Sequence, residues 1–505
     1  MLAKINSIAI IGLNAEKVEV EVDLSPGLPA FNIVGLPDKA VEESKERVRS
    51  AIKNSGANFP QKRITVNLAP ADIRKEGPSY DLPIAIGILL ASEQVLFDST
   101  KSLIVGELSL NGELRHTNGT LAMAIAAREF GFEEIILPKS NSEEAAIINN
   151  INIIGALSLS ELISHLRNEN QIEAIDFIPF VEEESIGYKL DFSQIIGQEH
   201  AKRALEISAA GGHNVIMDGP PGSGKTLLAR ALCSILPPLT YEEALEVTKI
   251  YSVAGALEKR TSLVKKRPYR SPHHTTSGVA LIGGGSWPRP GEISLSHRGV
   301  LFLDELPEFP RQVLEVLRQP LEDGDITISR ANGSLSFPAK FILVAAQNPC
   351  PCGYSTDPER QCTCTIGQII KYQKKISGPL LDRIDIHLEV PRVEYSKLVN
   401  NHAGENSRDI LKRVQVARII QNNRFLDTNT VTNSEMSLTE LKKYCDTNLE
   451  CNNLLAAASK QLGLSARGYH RILKLSRTIA DLDNSRDIKK EHIAEALQYR
   501  PKQRI

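Results

Sequence analysis

The sequence predicts a multidomain α/β protein that ends in a helical domain. Three observations carry that prediction. Short apolar strands alternate with apolar or amphipathic helices over residues 1–168 and again over 191–395, the pattern of sheets covered by helices. One of those strands, at 214–218, runs directly into a glycine-rich loop and a helix. Beyond residue 396 the strand patterns stop and apolar residues recur at i, i+3 and i+4, as one buried helix face requires.

At 505 residues the chain is too long for one core, and roughly two to four domains are expected. A hydrophobic content of 42% with 24% charged residues belongs to a soluble globular protein. No run of eighteen or more apolar residues occurs, so no membrane-spanning helix is expected. The N-terminal MLAKINSIAIIGLNAEKVEVEV soon alternates like a strand and lacks a small-residue cleavage site. It is not read as a signal peptide, and a cytoplasmic location without membrane attachment is expected. A net charge of −2 exerts no global pull on nucleic acid, so any such binding must come from local basic patches. Seven cysteines in a chain of this size do not make a disulfide framework.

In residues 1–168, ITVNLAP (64–70) and SLIVGELSL (102–110) read as strands, and LPIAIGILLAS (82–92) and LAMAIAAREFG (121–131) as helices. Residues 169–190 are acid-rich and aperiodic, and are taken as a linker. The second α/β block spans 191–395. The helical domain, 396–505, contains SRDILKRVQVARIIQNNRF, NNLLAAASKQLG, ARGYHRILKLSRTIADL and KKEHIAEALQYR.

The most specific motif is NVIMDGPPGSGKTLLARAL, residues 214–232. Its loop, Gly219, Pro220, Pro221, Gly222, Ser223 and Gly224, can wrap phosphates with backbone N–H groups, because the glycines leave the backbone accessible. Lys225 then reaches the β and γ phosphates and Thr226 offers a hydroxyl to Mg²⁺, at the positive end of a helix. ATP and Mg²⁺ are the cofactors expected. GVLFLDEL (299–306) is an apolar strand ending in Asp304 and Glu305. Asp304 suits the Mg²⁺ shell and Glu305 the polarising of an attacking water. Alone, the pair would read as surface acids; about eighty residues beyond a phosphate loop, it reads as the second half of the site.

The strand KFILVAAQNPCPCG (340–353) ends in Gln347 and Asn348. This order of phosphate loop, acidic strand and polar strand end resembles the AAA+ ATPases. The resemblance implies that Asn348 senses the γ-phosphate. It implies that Arg383, in SGPLLDRIDIHLEVP (377–391), is an arginine finger reaching a neighbouring subunit's ATP; the alternative is a surface pair with Asp382 or Asp385. Arg467, in LSARGYHRILKLSR, matches the sensor-2 position, with Arg471 as its rival, and Ile196, Gly197 and Gln198 match the adenine-side lead-in. A homo-hexameric ring follows from the same resemblance.

Residues 259–291 hold seven Lys/Arg, two His, the only tryptophan, Trp287, and no acid. ITISRANGSLSF (326–337) reads as a β-hairpin with Asn332-Gly333 at its turn. An insert and a hairpin at these places resemble the magnesium chelatase, MoxR and MCM helicase branch, in which such hairpins face a central pore. Lys265, Lys266, Arg267, Arg270 and Arg330 are the candidate DNA contacts; a solvated basic loop is the alternative.

CPCGYSTDPERQCTC supplies Cys350, Cys352, Cys362 and Cys364 as two C-x-C pairs nine residues apart. Four thiolates on one loop can close a tetrahedral structural Zn²⁺ site; free thiols or a redox pair are the alternatives. Cys233, Cys445 and Cys451 read as packing residues.

KEGPSYDLPIA (75–85) places Ser79 in a Gly-Pro-Ser turn before an apolar helix. With GELSLNGELRHTNGTLAMAIAA (106–127) it resembles the Lon protease domain, an α+β fold of the ribosomal S5 domain 2-like kind. A Lon-type serine needs a lysine base. Aligned through Gly119, that place holds Leu121, and no lysine occurs between Lys101 and Lys139. The dyad is broken, and Ser79 is expected to cap the helix at 80–92.

Taken whole, the chain resembles the ComM/YifB family of magnesium chelatase-like AAA+ ATPases. The resemblance implies a hexameric ATP-driven DNA helicase. It would promote branch migration and heteroduplex extension as single-stranded DNA is integrated in natural transformation. It also implies single-stranded and branched DNA as partners, with recombinase-pathway proteins beside them. Two rivals remain: a chelatase-like ATPase motor driving a partner protein, and an ATP-dependent protease, against which the missing lysine counts.

Overall fold

The computed structural model describes residues 2–181, 188, 190–258, 261–285, 288–330, 333–357, 359–393, 404–428 and 430–501. The chain forms two compact units, Met1–Val181 with Tyr241–Val264, and Glu182–Thr240 with Lys265–Ile505. It is a multidomain α/β protein with a parallel sheet and a helical C-terminal region.

The first unit is built on a seven-stranded mixed sheet. Its spatial order is Ala30–Val34, Arg63–Ala69, Asn14–Ser25, Leu2–Ile11, Ser102–Ile104, Glu134–Pro138 and Asn152–Ala156. Strict alternation drives it: Val18, Val20, Val22 and Leu24 face one side and are buried, while Glu19, Glu21 and Asp23 between them are partly exposed on the other. The helix Asp81–Ala91 is buried almost all round on this sheet. Gly87 permits that approach, because a Cβ there would lie 2.6 Å from Val22 Cγ2.

The stretch expected as one strand at 102–110 is two, Ser102–Ile104 and Glu107–Leu108. The chain leaves the sheet at Gly106, whose N–H donates to Ser79 O at 2.9 Å while its carbonyl accepts from Leu82 N at 3.0 Å. Ser79 therefore does not cap the helix. It lies inside a 3₁₀ turn, Pro78–Tyr80, and the helix that follows has no side-chain cap. The stretch 169–190, expected as a linker, is bonded to this unit as far as Ile178, through Ile175 N to Ile153 O and Ile178 N to Ala146 O, both 2.9 Å.

The helix Tyr241–Ala254 also belongs to the first unit, although the sequence places it between the phosphate loop and the acidic strand. Buried Glu144 fastens it, accepting from Ser252 Oγ at 2.5 Å and Leu121 N at 2.8 Å. Burial pushes the Glu144 carboxyl above the usual carboxylate range.

The second unit centres on a five-stranded parallel sheet. The order is Tyr269–Arg270, Val300–Leu303, Ile342–Gln347, Val215–Asp218 and Ile386–Glu389. Its inner strands are apolar up to their carboxyl ends, where Asp218 and Gln347 sit, as strands covered on both faces must be. Among the described residues, five α-helices follow: Ser407–Arg424, Leu438–Tyr444, Leu449–Leu462, Ala466–Leu482 and Lys490–Gln498.

Candidate functional site

The strand Val215–Asp218 comes first in sequence among the five but lies between the fourth and the fifth. In such a sheet the strand order reverses at that place, and the carboxyl ends of the strands open a crevice for a ligand. Into it runs the loop Gly219–Gly224, followed by the helix Lys225–Ala231. Gly224 has φ 91°, a conformation that brings the chain into the helix and that residues with a Cβ rarely adopt. Gly219 is demanded by proximity, since a Cβ there would lie 2.1 Å from Val390 O.

Lys225 Nζ donates to Gly219 O at 2.6 Å and Pro220 O at 2.9 Å, with Asn348 Oδ1 at 3.3 Å. Burial lowers its pKa, and Asp304, Asp218 and Glu305 oppose that shift. Ser223 Oγ is buried with no hydrogen-bond partner among the described residues. Pro221 and Gly222 are exposed at the loop crest. The ammonium, the orphan hydroxyl and the exposed crest together suit a bound polyphosphate.

Thr226 Oγ1 donates to Asp304 Oδ2 at 3.0 Å, so the two proposed Mg²⁺ groups stand side by side. An ion there could take both oxygens. Glu305 adopts the left-handed conformation, φ 52°, with its N–H donating to Asp304 Oδ1 at 3.0 Å. Its half-exposed carboxylate lies 3.2 Å from His274 Nδ1. Sequence reading gave His274 no role. Its signal was present but unreadable alone: it follows the short strand Tyr269–Arg270, which pairs in parallel with Val300–Leu303. Both chains therefore leave the sheet at the same end.

Gln347 Nε2 donates to Asp218 Oδ2 at 2.7 Å, which ties the Asn348 strand to the phosphate-loop strand. On the lead-in, Gly197 and Gln198 both have positive φ, and Gln198 Nε2 donates to Pro391 O at 2.6 Å. Ile196 beside them is half-buried.

Arg383 pairs with neither Asp382 nor Asp385. Its Nη2 bonds Glu322 and its Nη1 donates to Pro379 O at 2.8 Å. Arg467 Nη2 reaches the other oxygen of Glu322 at 3.4 Å. Glu322, too, had no role in the sequence reading, and Arg383 beside it holds its carboxyl below the usual range. Arg471, the rival of Arg467, is buried and donates to Ile384 O at 2.8 Å, a structural post under the Arg383 segment.

The basic run is less available than its composition suggests. Arg267 donates to Pro237 O, Arg298 O and Pro238 O at 2.5, 2.7 and 3.3 Å. Arg270 forms a bidentate pair with Glu292, both contacts 2.6 Å. Both guanidiniums are spent inside the unit, because each is placed where carbonyls or a carboxylate would otherwise lack a donor. Lys266 is exposed and Lys265 half-buried. The hairpin is formed by Asp325–Arg330 and Gly333–Pro338, with Arg330 opposite Gly333. Its expected turn at Asn332, the side chain of Arg330, and Trp287 lie outside the described residues.

The four clustered cysteines converge. Their sulfurs all lie within 4.8 Å of one another, with Cys350, Cys352 and Cys362 at 3.4 to 3.7 Å. Thiolates 2.3 Å from a tetrahedral Zn²⁺ stand about 3.8 Å apart, so this donor set fits the ion. Backbone N–H groups of Tyr354 and Thr363 hold the Cys352 thiol down to about 5. Burial raises the Cys233 and Cys445 thiols to about 12, as inert packing residues require.

Three family models match the chain: magnesium chelatase, subunit ChlI, over residues 191–398; subunit ChlI of Mg-chelatase over 20–141; and magnesium chelatase, subunit ChlI C-terminal, over 404–500. Competence protein ComM of Haemophilus influenzae is 46% identical over 510 residues, covering 100% of this chain and 98% of that protein. YifB of Escherichia coli is 43% identical over 506 residues, covering 100% and 98%. The magnesium-chelatase 38 kDa subunit of Cereibacter sphaeroides is 28% identical over 175 residues, 31% of this chain and 52% of that subunit. Full-length identity at that level, with family models over both units, makes this chain a member of the ComM/YifB family of magnesium chelatase-like proteins.

Proposed function

We propose that the protein is an AAA+ ATPase that works as a homo-hexameric DNA motor, driving branch migration and extending heteroduplex as incoming single strands are integrated. The observation that carries the ATPase reading is the meeting of Lys225, Thr226, Asp304, Glu305 and Asn348 at the carboxyl ends of three adjacent parallel strands. Lys225 would neutralise phosphate charge, Glu305 orient the attacking water, and Asn348 hold that water against the terminal phosphate. Mg²⁺ held by Thr226 and Asp304 would screen the charge that develops between the β and γ phosphates. Arg383 and Arg467, converged on Glu322, suit a phosphate presented by a second copy.

The DNA reading is supported by the similarity to a competence protein over the whole chain, by Lys265, Lys266 and Arg330 as candidate contacts, and by the hairpin. Structural Zn²⁺ on Cys350, Cys352, Cys362 and Cys364 would brace the loop that follows Asn348. The first unit is read as a Lon-like domain without peptidase chemistry, since Leu121 is a buried apolar residue whose N–H is taken by Glu144. A cytoplasmic site of action is part of the same proposal; no described helix is long and apolar enough to cross a membrane.

The test is strand exchange on a labelled three-strand DNA junction with ATP, wild type beside Glu305→Gln. Product formed by wild type alone supports the motor. No product, with ATP turnover indifferent to DNA, sinks the DNA reading and favours a motor for a protein partner.

A further inference from the structure

Two guanidiniums share one carboxylate here, whose charge offsets the repulsion between them. Arg383 and Arg467 come from different elements, one just after the short helix Gly378–Leu381 and one on the helix Ala466–Leu482. Each takes a separate oxygen of the Glu322 carboxylate. Arg383 is deeply seated, 11% exposed, and its Nε is buried with no partner among the described residues. One donor of that guanidinium is thus held ready for an acceptor that Glu322 does not supply. Arg467 and Glu322 are both open to solvent, so the carboxylate can leave.

Glu322 also has a particular place in the chain. It sits at the end of the helix Arg318–Asp323, and Gly324, with φ 75°, turns the backbone directly into the hairpin strand Asp325–Arg330. Only two residues separate the carboxylate from the hairpin. Displacing the hairpin would therefore drag Glu322 off the arginines.

We propose that Glu322 is a positioning residue that stands in for phosphate: it holds Arg383 and Arg467 together and withheld, and surrenders them to the terminal phosphate of a nucleotide bound by a second copy of this chain when the hairpin is engaged. The inference rests on the ATPase reading above and adds a regulator to it. A carboxylate and a phosphate compete for the same planar donors, so the exchange costs little in geometry.

The experiment measures ATP turnover by the full chain against protein concentration, without DNA and with a single-stranded oligonucleotide, for wild type, Glu322→Gln, Arg383→Ala and the double variant. Glu322→Gln should raise DNA-independent turnover about twofold to fivefold, the worth of a half-exposed ion pair. It should also reach half-maximal turnover at lower protein concentration and respond less to the oligonucleotide. Adding Arg383→Ala should erase the gain. A role in folding alone would lower turnover instead. Glu322→Gln at or below the wild-type rate, with Arg383→Ala inactive, overturns the latch and leaves the ATP site standing. Arg383→Ala at the wild-type rate overturns the latch and the inter-subunit role of Arg383, and wild type without ATP turnover overturns the ATPase reading itself. Should Glu322→Gln fold poorly by melting temperature, Glu322→Asp keeps the charge but is one methylene too short to span both arginines. It should show a smaller gain, and no gain overturns the proposal.

Discussion

The chain contains two Gly-Pro turns that open an apolar helix, GPSYDLPIA in the first unit and GPPGSGKTLLA in the second. Their local grammar is alike and their fates differ. The first turn is consumed by its own unit: Ser79 is buried, its carbonyl accepts from Gly106, and the helix behind it carries Asp81 locked to Arg47 at 2.6 Å. The second leaves Pro221 and Gly222 exposed, and places Lys225 within reach of groups from two other strand ends. A turn becomes a site when its crest stays open and groups from other elements converge on it. Leu121, at the position where the Lon-like resemblance implies a lysine base, is sealed in the core.

The sharpest way to break this comparison is to remove the active member of each turn. Lys225→Ala should cut ATP turnover by roughly two to three orders of magnitude, as loss of a transition-state charge partner does, while Ser79→Ala should leave turnover unchanged. Both are read in one steady-state assay; a Ser79→Ala loss comparable to that of Lys225→Ala would erase the distinction.

A smaller effect is expected at the cysteines beside the second turn. Cys362→Ser with Cys364→Ser should lose one zinc per chain by elemental analysis and lower the melting temperature, because a closed loop is a folding contribution. Wild type without metal would leave free thiols as the better reading.

The smallest effect concerns the first unit. Glu144 has a carboxyl pKa raised by burial above its ordinary value of 4.5. The native state then holds a proton that the unfolded chain has already released. Its contribution is fully present below the unfolded pKa and is lost as pH rises through the folded one. Relative to Glu144→Gln, wild type should therefore melt higher near about pH 4 than near about pH 7. A difference independent of pH would mean that Glu144 is not titrating as its burial demands.

Much was legible in order along the chain. The phosphate loop, the acidic strand end and the polar strand end are local patterns, and each lies within one strand and the few residues after it. The four cysteines were legible too, because fifteen residues of one loop hold them all. The basic run was legible as charge but not as availability. Whether Arg267 and Arg270 face solvent depends on the carbonyls of Pro237 and Arg298 and on Glu292, which composition cannot locate.

Hydrophobic period and glycine placement act over a few residues, so most elements and the motifs could be read along the chain. Which residues meet was settled by long-range packing. Parallel pairing of Tyr269–Arg270 with Val300–Leu303 brought His274 to Glu305. The packing of a late helix against the Arg383 segment put Arg383 and Arg467 on one carboxylate. Folding also placed Tyr241–Ala254, which lies in sequence inside the second block, in the first unit, around a buried Glu144. These contacts join residues tens to more than a hundred positions apart. They are fixed by strand pairing, by helix packing and, at Glu144, by the need of a buried carboxyl for partners, and none of these is written in any one stretch of the chain.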